Sequence, residues 1–379
     1  MQYREFGKLD WKPSALGFGA MRLPTEGEKS GDIDEERAIE MIRYAIDQGV
    51  NYVDTAWPYH DENSEELVAK ALKDGYREKT RIATKLPSWL IEEPGDMDEY
   101  LDKQLNRLEV DQIDFYLLHA LNQKHWKNYR ELGVFEWLDK VQAEGKIVHP
   151  GFSFHDDLDV FKDIVDSYDW TFCQIQYNYL DREFQAGTEG LKYASSKGLA
   201  VVIMEPLRGG KLAAKPPEEI EKIWSKADEQ RGSVSWALNW LWDQPEVSVV
   251  LSGMSTLDQV KENVELADGS GVNKLSEKEI RLMEEAGEKY HQLTPVGCTG
   301  CNYCTPCPND VEIPTNFQLY NEAEVYDRFE ENKDRYYEFL NEEQRASACV
   351  ACGQCEDACP QNLEIIDLLS EAASYFGDG

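Results

Sequence analysis

Positive charge is what this sequence has least of. Its 379 residues carry 73 Asp and Glu against 39 Lys and Arg, a net of −34. Such a balance repels phosphate backbones and anionic headgroups, which excludes nucleic acid and acidic membranes as partners. The deficit is steepest near the end: residues 291–379 hold 17 acidic and 4 basic side chains, so they are about twice as acidic per residue as the first 290. Also missing is any run approaching the roughly 18 apolar residues of a membrane helix. The opening MQYREFGKLD has no apolar core of the secretory kind, and a cytoplasmic location is the expectation. No low-complexity segment and no short repeat occurs. Cysteine is scarce over most of the chain: of nine, only Cys173 lies outside residues 298–359. Cys173 sits in the apolar run FCQIQYN and reads as buried packing. Secreted disulfide scaffolds are usually short chains with an export signal, so thiols clustered here point to metal.

What the chain does have is apolar material for a large core, with 41% hydrophobic residues, 10 Trp and 19 Tyr. Short apolar runs alternate with amphipathic stretches. The runs are SALGFGAM, NYVDTA, RIATKL, IDFYLLHA, IVHPGFSFH, FCQIQYN, LAVVIMEPL and VSVVLSGMS. Between them, DEERAIEMIRYAIDQG places Ile39, Ile42 and Ile46 at helical spacing before Gly49, and Asn63 or Ser64 is positioned to cap SEELVAKALK. GSVSWALNWLWDQP is apolar on most sides and should be a largely buried helix. Strands alternating with helices imply parallel βαβ units, and eight of them in about 250 residues predict an α/β fold, a (β/α)8 TIM barrel. Residues before Pro13 would form a hairpin closing its floor. The pattern breaks at Thr294-Pro295. Two domains are therefore expected, a barrel over 1–290 and a small, mainly α-helical domain over 291–379.

Chemistry in such a barrel sits where strands end. Asp54 closes NYVD, with Tyr59 five residues on; Lys85 closes RIATK; His119 closes FYLLH. Four polar residues from three successive strands should meet on one rim. The segments DTAWPYHDENSEELVAKAL, ATKL, FYLLHAL, QIQYNYLDREFQAG and MEPLRGGKL resemble those of the aldo-keto reductases, over nearly all of residues 1–290. The resemblance implies that Tyr59 is the general acid, with Lys85, Asp54 and His119 around it. A free tyrosine has a pKa of about 10, and a neighbouring ammonium stabilises its phenolate. His119 would orient the carbonyl oxygen on which charge collects.

The same resemblance implies NAD(P)H, held at the nicotinamide by Ser153, Gln174 and Asn178. Leu207, Gly209, Gly210 and Lys211 would line the pyrophosphate, and Glu262 and Asn263 the adenine. Met204 stands where many members stack an aromatic ring on the nicotinamide. Gly253 and Gln259 stand where a Lys and an Arg commonly meet a 2′-phosphate, so NADH and NADPH are both open.

The thiols come in two runs. Cys298, Cys301, Cys304 and Cys307 are each separated by two residues, with Pro308 following. Cys349, Cys352 and Cys355 repeat that spacing, then three residues lead to Cys359 and Pro360. The second run matches the bacterial ferredoxin spacing fully, and the first departs by one residue before its last cysteine. This is similar to two-[4Fe–4S] ferredoxin domains. Their pattern implies one cluster on Cys298, Cys301, Cys304 and Cys359 and another on Cys307, Cys349, Cys352 and Cys355. Paired four-thiolate zinc sites are the plainer alternative, but zinc does not call for two four-cysteine runs ending in Pro.

The leading expectation is an oxidoreductase interconverting a small-molecule carbonyl and alcohol with NAD(P)H, joined to an electron-transferring iron–sulfur domain that a redox partner protein would meet. Nicotinamide moves electrons in pairs and clusters move them singly. A flavin usually mediates, and no flavin motif is visible. Two rivals are a one-electron reductase fed by ferredoxin, with nicotinamide secondary, and a non-catalytic nicotinamide-sensing or electron-carrying subunit.

Overall fold

The computed structural model describes residues 1–27 and 29–378. Its chain divides into two compact units, Met1–Pro206 with Val234–Leu275, and Leu207–Ser233 with Ser276–Gly379.

The first unit holds a closed barrel of eight parallel strands in sequential order. They are β1 Leu16–Gly19, β2 Tyr52–Asp54, β3 Arg81–Leu86, β4 Ile113–Leu121, β5 Ile147–Phe154, β6 Phe172–Gln176, β7 Ala200–Met204 and β8 Val247–Gly253. Each grows from one of the eight apolar runs, and both faces are covered, as a parallel sheet requires. Register closes the ring: Phe18 lies opposite Val53 on one side and Ser252 on the other. The floor is aromatic. Residues before Pro13 fold back through antiparallel bridges at Tyr3–Ser14 and Phe6–Leu9. That hairpin drives the fully buried Phe6 against Tyr52, Phe115 and Phe172, with ring centroids 5.0–6.4 Å apart.

Helix Glu35–Asp47 buries Met41, Ile42 and Ile46 and ends before Gly49, whose φ of 100° suits glycine. Helix Ser233–Trp242 buries Trp236, Trp240 and Trp242, in keeping with its apolar character on most sides. The expected cap on helix Ser64–Ala71 is not made. Asn63 is the N-cap, but its amide donates to the Gly31 carbonyl, while the Ser64 hydroxyl bonds Thr55 and the Ala20 carbonyl. Both side chains are recruited to hold neighbouring loops, a non-local use that local spacing does not reveal.

In the second unit, helix Glu218–Trp224 and the turn after it pair with helix Glu277–Leu293, through Lys226–Glu285 at 2.8 Å and Lys278–Asp228 at 2.6 Å. Ser276 opens the latter helix with a capping box to Glu279. The polar stretch between the cysteine runs forms two helices, Ile313–Val325 and Phe329–Phe339. Together with Ile365–Phe376 they enclose a small core around Phe317, Tyr336, Leu369 and Phe376. No described helix is long and apolar enough to cross a membrane.

Candidate functional site

Asp54 is the last residue of β2, and backbone pairing sets Lys85 of β3 opposite Leu117 of β4, two residues before His119. Tyr59 follows β2 on a loop that makes three successive left-handed turns at His60, Asp61 and Glu62, with φ of 54°, 51° and 71°. Such backbone is costly for non-glycine residues and persists only when held. His60 does the holding. Its Nε2 accepts the Leu23 amide at 3.0 Å, and its Nδ1 lies 2.7 Å from the Ser30 carbonyl. This pattern requires a neutral ring protonated on Nδ1.

The four expected residues meet. Lys85, fully buried, donates to Asp54 Oδ1 at 2.6 Å, to the Thr55 carbonyl at 2.8 Å and to the Tyr59 hydroxyl at 3.3 Å. The Tyr59 ring stands edge-on to His119, centroids 6.2 Å apart. Tyr59 is half-buried, with its hydroxyl beside a buried cation. Burial pushes the Asp54 carboxyl up and the Lys85 ammonium down, each opposed by the charge of the other. His119 is driven well below the usual imidazole range, first by burial and then by Lys85⁺, and is neutral at pH 7. Trp89, whose ring centroid is 5.1 Å from that of His119, forms an exposed wall. Trp57 and Trp126 are packing residues: Trp57 lies under the Arg107 guanidinium at 3.5 Å, and Trp126 bonds Asp163.

Behind Lys85 lies a polar network not anticipated from the sequence. Buried Gln104 donates to Glu65 Oε1 at 2.6 Å and to the Lys85 carbonyl at 3.0 Å, and accepts from the Tyr116 hydroxyl at 2.7 Å. Glu65 is fully buried and pairs with Arg107 at 3.5 Å. In SEELVAKAL, Glu65 reads as an ordinary acid in the first turn of a helix; only the fold shows its burial. Arg22 is a second omission. Its stem packs against Gly253, where a Cβ would lie 3.2 Å from Arg22 Cβ, and its guanidinium reaches Glu205 at 4.0 Å.

The residues expected at the nicotinamide are buried: Ser153 near the end of β5, Gln174 within β6 and Asn178 just beyond it. Ser153 Oγ accepts the Ala120 amide at 2.8 Å, and Gln174 donates weakly to Met204 Sδ at 3.6 Å, leaving its buried Oε1 without a hydrogen bond. Asn178 is engaged within the fold, donating to Asp181 and the Glu205 carbonyl and accepting two backbone amides. Asn263 likewise bonds Ser252 Oγ at 2.8 Å, whereas Glu262 is exposed. Leu207, Gly209, Gly210 and Lys211 fall in the second unit; the two glycines have φ of 67° and 92°. Gln259 serves the capping box of helix Leu257–Gly269.

Also in the second unit, Cys298, Cys301, Cys304 and Cys359 line one pocket with Ile313 and Phe317. Burial pushes the Cys304 thiol up to about 12, aided by the nearby Cys301, Cys298 and Cys359. Four thiols sharing one apolar pocket form a donor set of the kind that holds an iron–sulfur cluster. In the second run, burial and then Cys349 raise the Cys355 thiol to about 11, and Cys352 is exposed. Cys173 is buried, its thiol pushed far up by burial, as expected of packing.

Five of the six histidines, His60, His119, His125, His149 and His155, are held below their ordinary value, burial leading in each. An unfolded imidazole takes its proton near pH 6.5, and the folded His149 and His155 only at about 4. The unfolded chain thus binds more protons in that window, and stability rises with pH across it. Buried Asp54 and Glu65, whose carboxyls are raised, oppose the trend. Urea unfolding should show stability falling as pH drops from 7 to 5, and His155→Asn should flatten that slope. A slope unchanged in the variant would refute this assignment.

Comparison with known proteins agrees with the fold. Residues 15–288 match the aldo/keto reductase family, and residues 297–364 match a 4Fe-4S dicluster domain. A Bacillus subtilis protein called uncharacterized oxidoreductase YqkF is 27% identical over 75% of this chain and 96% of its own length. The NADH-specific methylglyoxal reductase of Escherichia coli is 26% identical over 74% of this chain and 97% of its own. The solved structure of aldo-keto reductase AKR11C1 from Bacillus halodurans (holo form) superposes with a TM-score of 0.64 at 27% identity, covering 76% of this chain and 96% of that one.

Proposed function

The chain belongs to the aldo/keto reductase family and is an oxidoreductase with a C-terminal 4Fe-4S dicluster domain, and from that premise we propose that its barrel interconverts a small carbonyl compound and its alcohol with NAD(P)H. The observation that carries this reading is the hydroxyl of half-buried Tyr59, 3.3 Å from a buried Lys85 that is itself 2.6 Å from Asp54. When bound, nicotinamide supplies hydride, and the clusters supply single-electron transfer.

The protein's own groups then do the following. Tyr59 donates its proton to the carbonyl oxygen, and Lys85⁺ beside it stabilises the phenolate left behind. Asp54 and the Thr55 carbonyl fix the ammonium, which burial would otherwise tend to deprotonate. Neutral His119 can donate a hydrogen bond to the same oxygen without competing as a proton source at pH 7. Trp89 offers an aromatic wall for the substrate. Ser153, Gln174, Asn178, Leu207, Gly209, Gly210, Lys211, Glu262 and Asn263 are assigned to the nucleotide. The eight thiols are assigned to two [4Fe–4S] clusters, with Cys359 joining Cys298, Cys301 and Cys304, as their common pocket supports. Cys307, Cys349, Cys352 and Cys355 hold the second.

Anaerobic purification followed by an iron and sulfide count, then titration with NADH and with NADPH, tests the whole reading. Turnover with a small aldehyde and bleaching of the visible cluster absorbance are expected. Turnover without bleaching would separate hydride chemistry from the clusters. Turnover only with reduced ferredoxin would overturn the nicotinamide reading.

A further inference from the structure

The loop after β7 and the first cysteine run belong to one compact unit, and two cations of that loop reach consecutive carbonyls of the run. Arg208 Nη2 donates to the Gly297 carbonyl at 3.4 Å, and Lys211 Nζ to the Cys298 carbonyl at 2.5 Å. Cys298 Sγ in turn accepts the Gly300 amide at 3.3 Å. Positive charge is scarce here: the basic residues of the tail, Arg328, Lys333, Arg335 and Arg345, all lie beyond residue 327. The loop itself is open on its glycine side, where a Cβ on Gly210 would meet nothing within 4 Å. One ammonium therefore stands at the backbone of a thiol ligand, on the loop assigned to an anionic pyrophosphate.

We propose that Lys211 couples nucleotide binding to the redox state of the cluster held by Cys298. The inference rests on the nucleotide reading above. Adding one electron to that cluster, from a donor such as dithionite, makes or breaks no bond; it places one more negative charge beside Cys298. The reduced cluster holds the Lys211 ammonium more strongly, and nearby charge and hydrogen bonds are among the factors that set cluster potentials. A pyrophosphate competes for the same ammonium. The oxidised protein consequently binds the nucleotide more tightly, and bound nucleotide lowers the cluster potential by the same coupling factor, since linkage is reciprocal.

ADP-ribose is the probe of choice, because it carries the pyrophosphate but no nicotinamide and cannot exchange electrons. Calorimetric titration of the anaerobic holoprotein should give a Kd at least about threefold weaker after dithionite reduction. A tenfold ratio corresponds to 59 mV for one electron, so threefold corresponds to about 28 mV in an EPR-monitored potential titration with and without ADP-ribose. In Lys211→Met, with iron and sulfide content unchanged, the ratio should fall to about one; Lys211→Arg should keep it. Equal affinities in both redox states of the unmodified protein would overturn the coupling and leave nucleotide binding standing. No binding in either state would overturn both. A ratio surviving in Lys211→Met would show that general repulsion, and not Lys211, carries the effect, and would also overturn the proposal. Where Lys211→Met loses its iron, Lys211→Gln, which keeps a hydrogen-bond donor without the charge, takes its place, and a ratio surviving there overturns the proposal in the same way.

Discussion

Tyr59→Phe is expected to lower kcat for carbonyl reduction by roughly a hundredfold to ten-thousandfold, the range that removal of a positioned general acid spans. The substitution deletes one oxygen and leaves the ring, so the edge-on contact with His119 and the packing of the loop are preserved. KM and nucleotide affinity should change little, because the lost interaction matters mainly in the transition state. Lys85→Met provides the companion test. It removes the cation that donates to Asp54 and faces the phenol, and it leaves the Asp54 carboxyl buried without its counter-charge. Activity should fall with it, and so should stability, whereas Tyr59→Phe should lower activity alone. Initial rates with NADH or NADPH, paired with thermal melts, distinguish the two. Unchanged turnover in Tyr59→Phe would remove Tyr59 from the chemistry.

The second large effect is expected from Cys359→Ser. If Cys359 completes the cluster on Cys298, Cys301 and Cys304, this change in the second run strips the cluster of the first, and about half of the iron is lost. The double variant Cys298→Ala with Cys359→Ser then loses no more than either single variant. Were each run to hold its own cluster, the double variant would lose nearly all the iron. Iron and sulfide counts on the three proteins decide between these outcomes. Stability should fall as well, because Ile313 and Phe317 of the domain core line the same pocket as the thiols. Metal affinity and folding are linked wherever ligands come together only in the folded state.

The eight strands were legible because a parallel barrel buries both faces of each strand, which leaves a continuous apolar run as its trace. Asp54, Lys85 and His119 were legible for a related reason: a polar residue ending such a run has few structural explanations. The aromatic plug was readable in part, since residues before Pro13 could be seen to turn back, though not that Phe6 would enter the barrel. Non-local partnerships left no such trace. Glu65 and Gln104 occupy ordinary helical positions, and their burial behind Lys85 follows from the packing of separate elements. Asn63 and Ser64 had the right spacing for a cap and were claimed by other loops. Local spacing could not announce that Lys211 lies beside the Cys298 carbonyl 87 positions away.

The composition of the second unit has a consequence for synthesis. Leu207–Ser233 is made early, yet the segment it packs with begins only at Ser276. At roughly 5–20 residues per second, it leaves the ribosome several seconds ahead of that partner. Helix Glu218–Trp224 carries Ile220, Ile223 and Trp224 into that interval with their apolar faces uncovered. The wait for iron is longer, because Cys359 emerges after nearly the whole chain. Nascent chains of this protein therefore pass through a stage in which Leu207–Ser233 has been made and its partner segment has not, and slow translation would lengthen that stage.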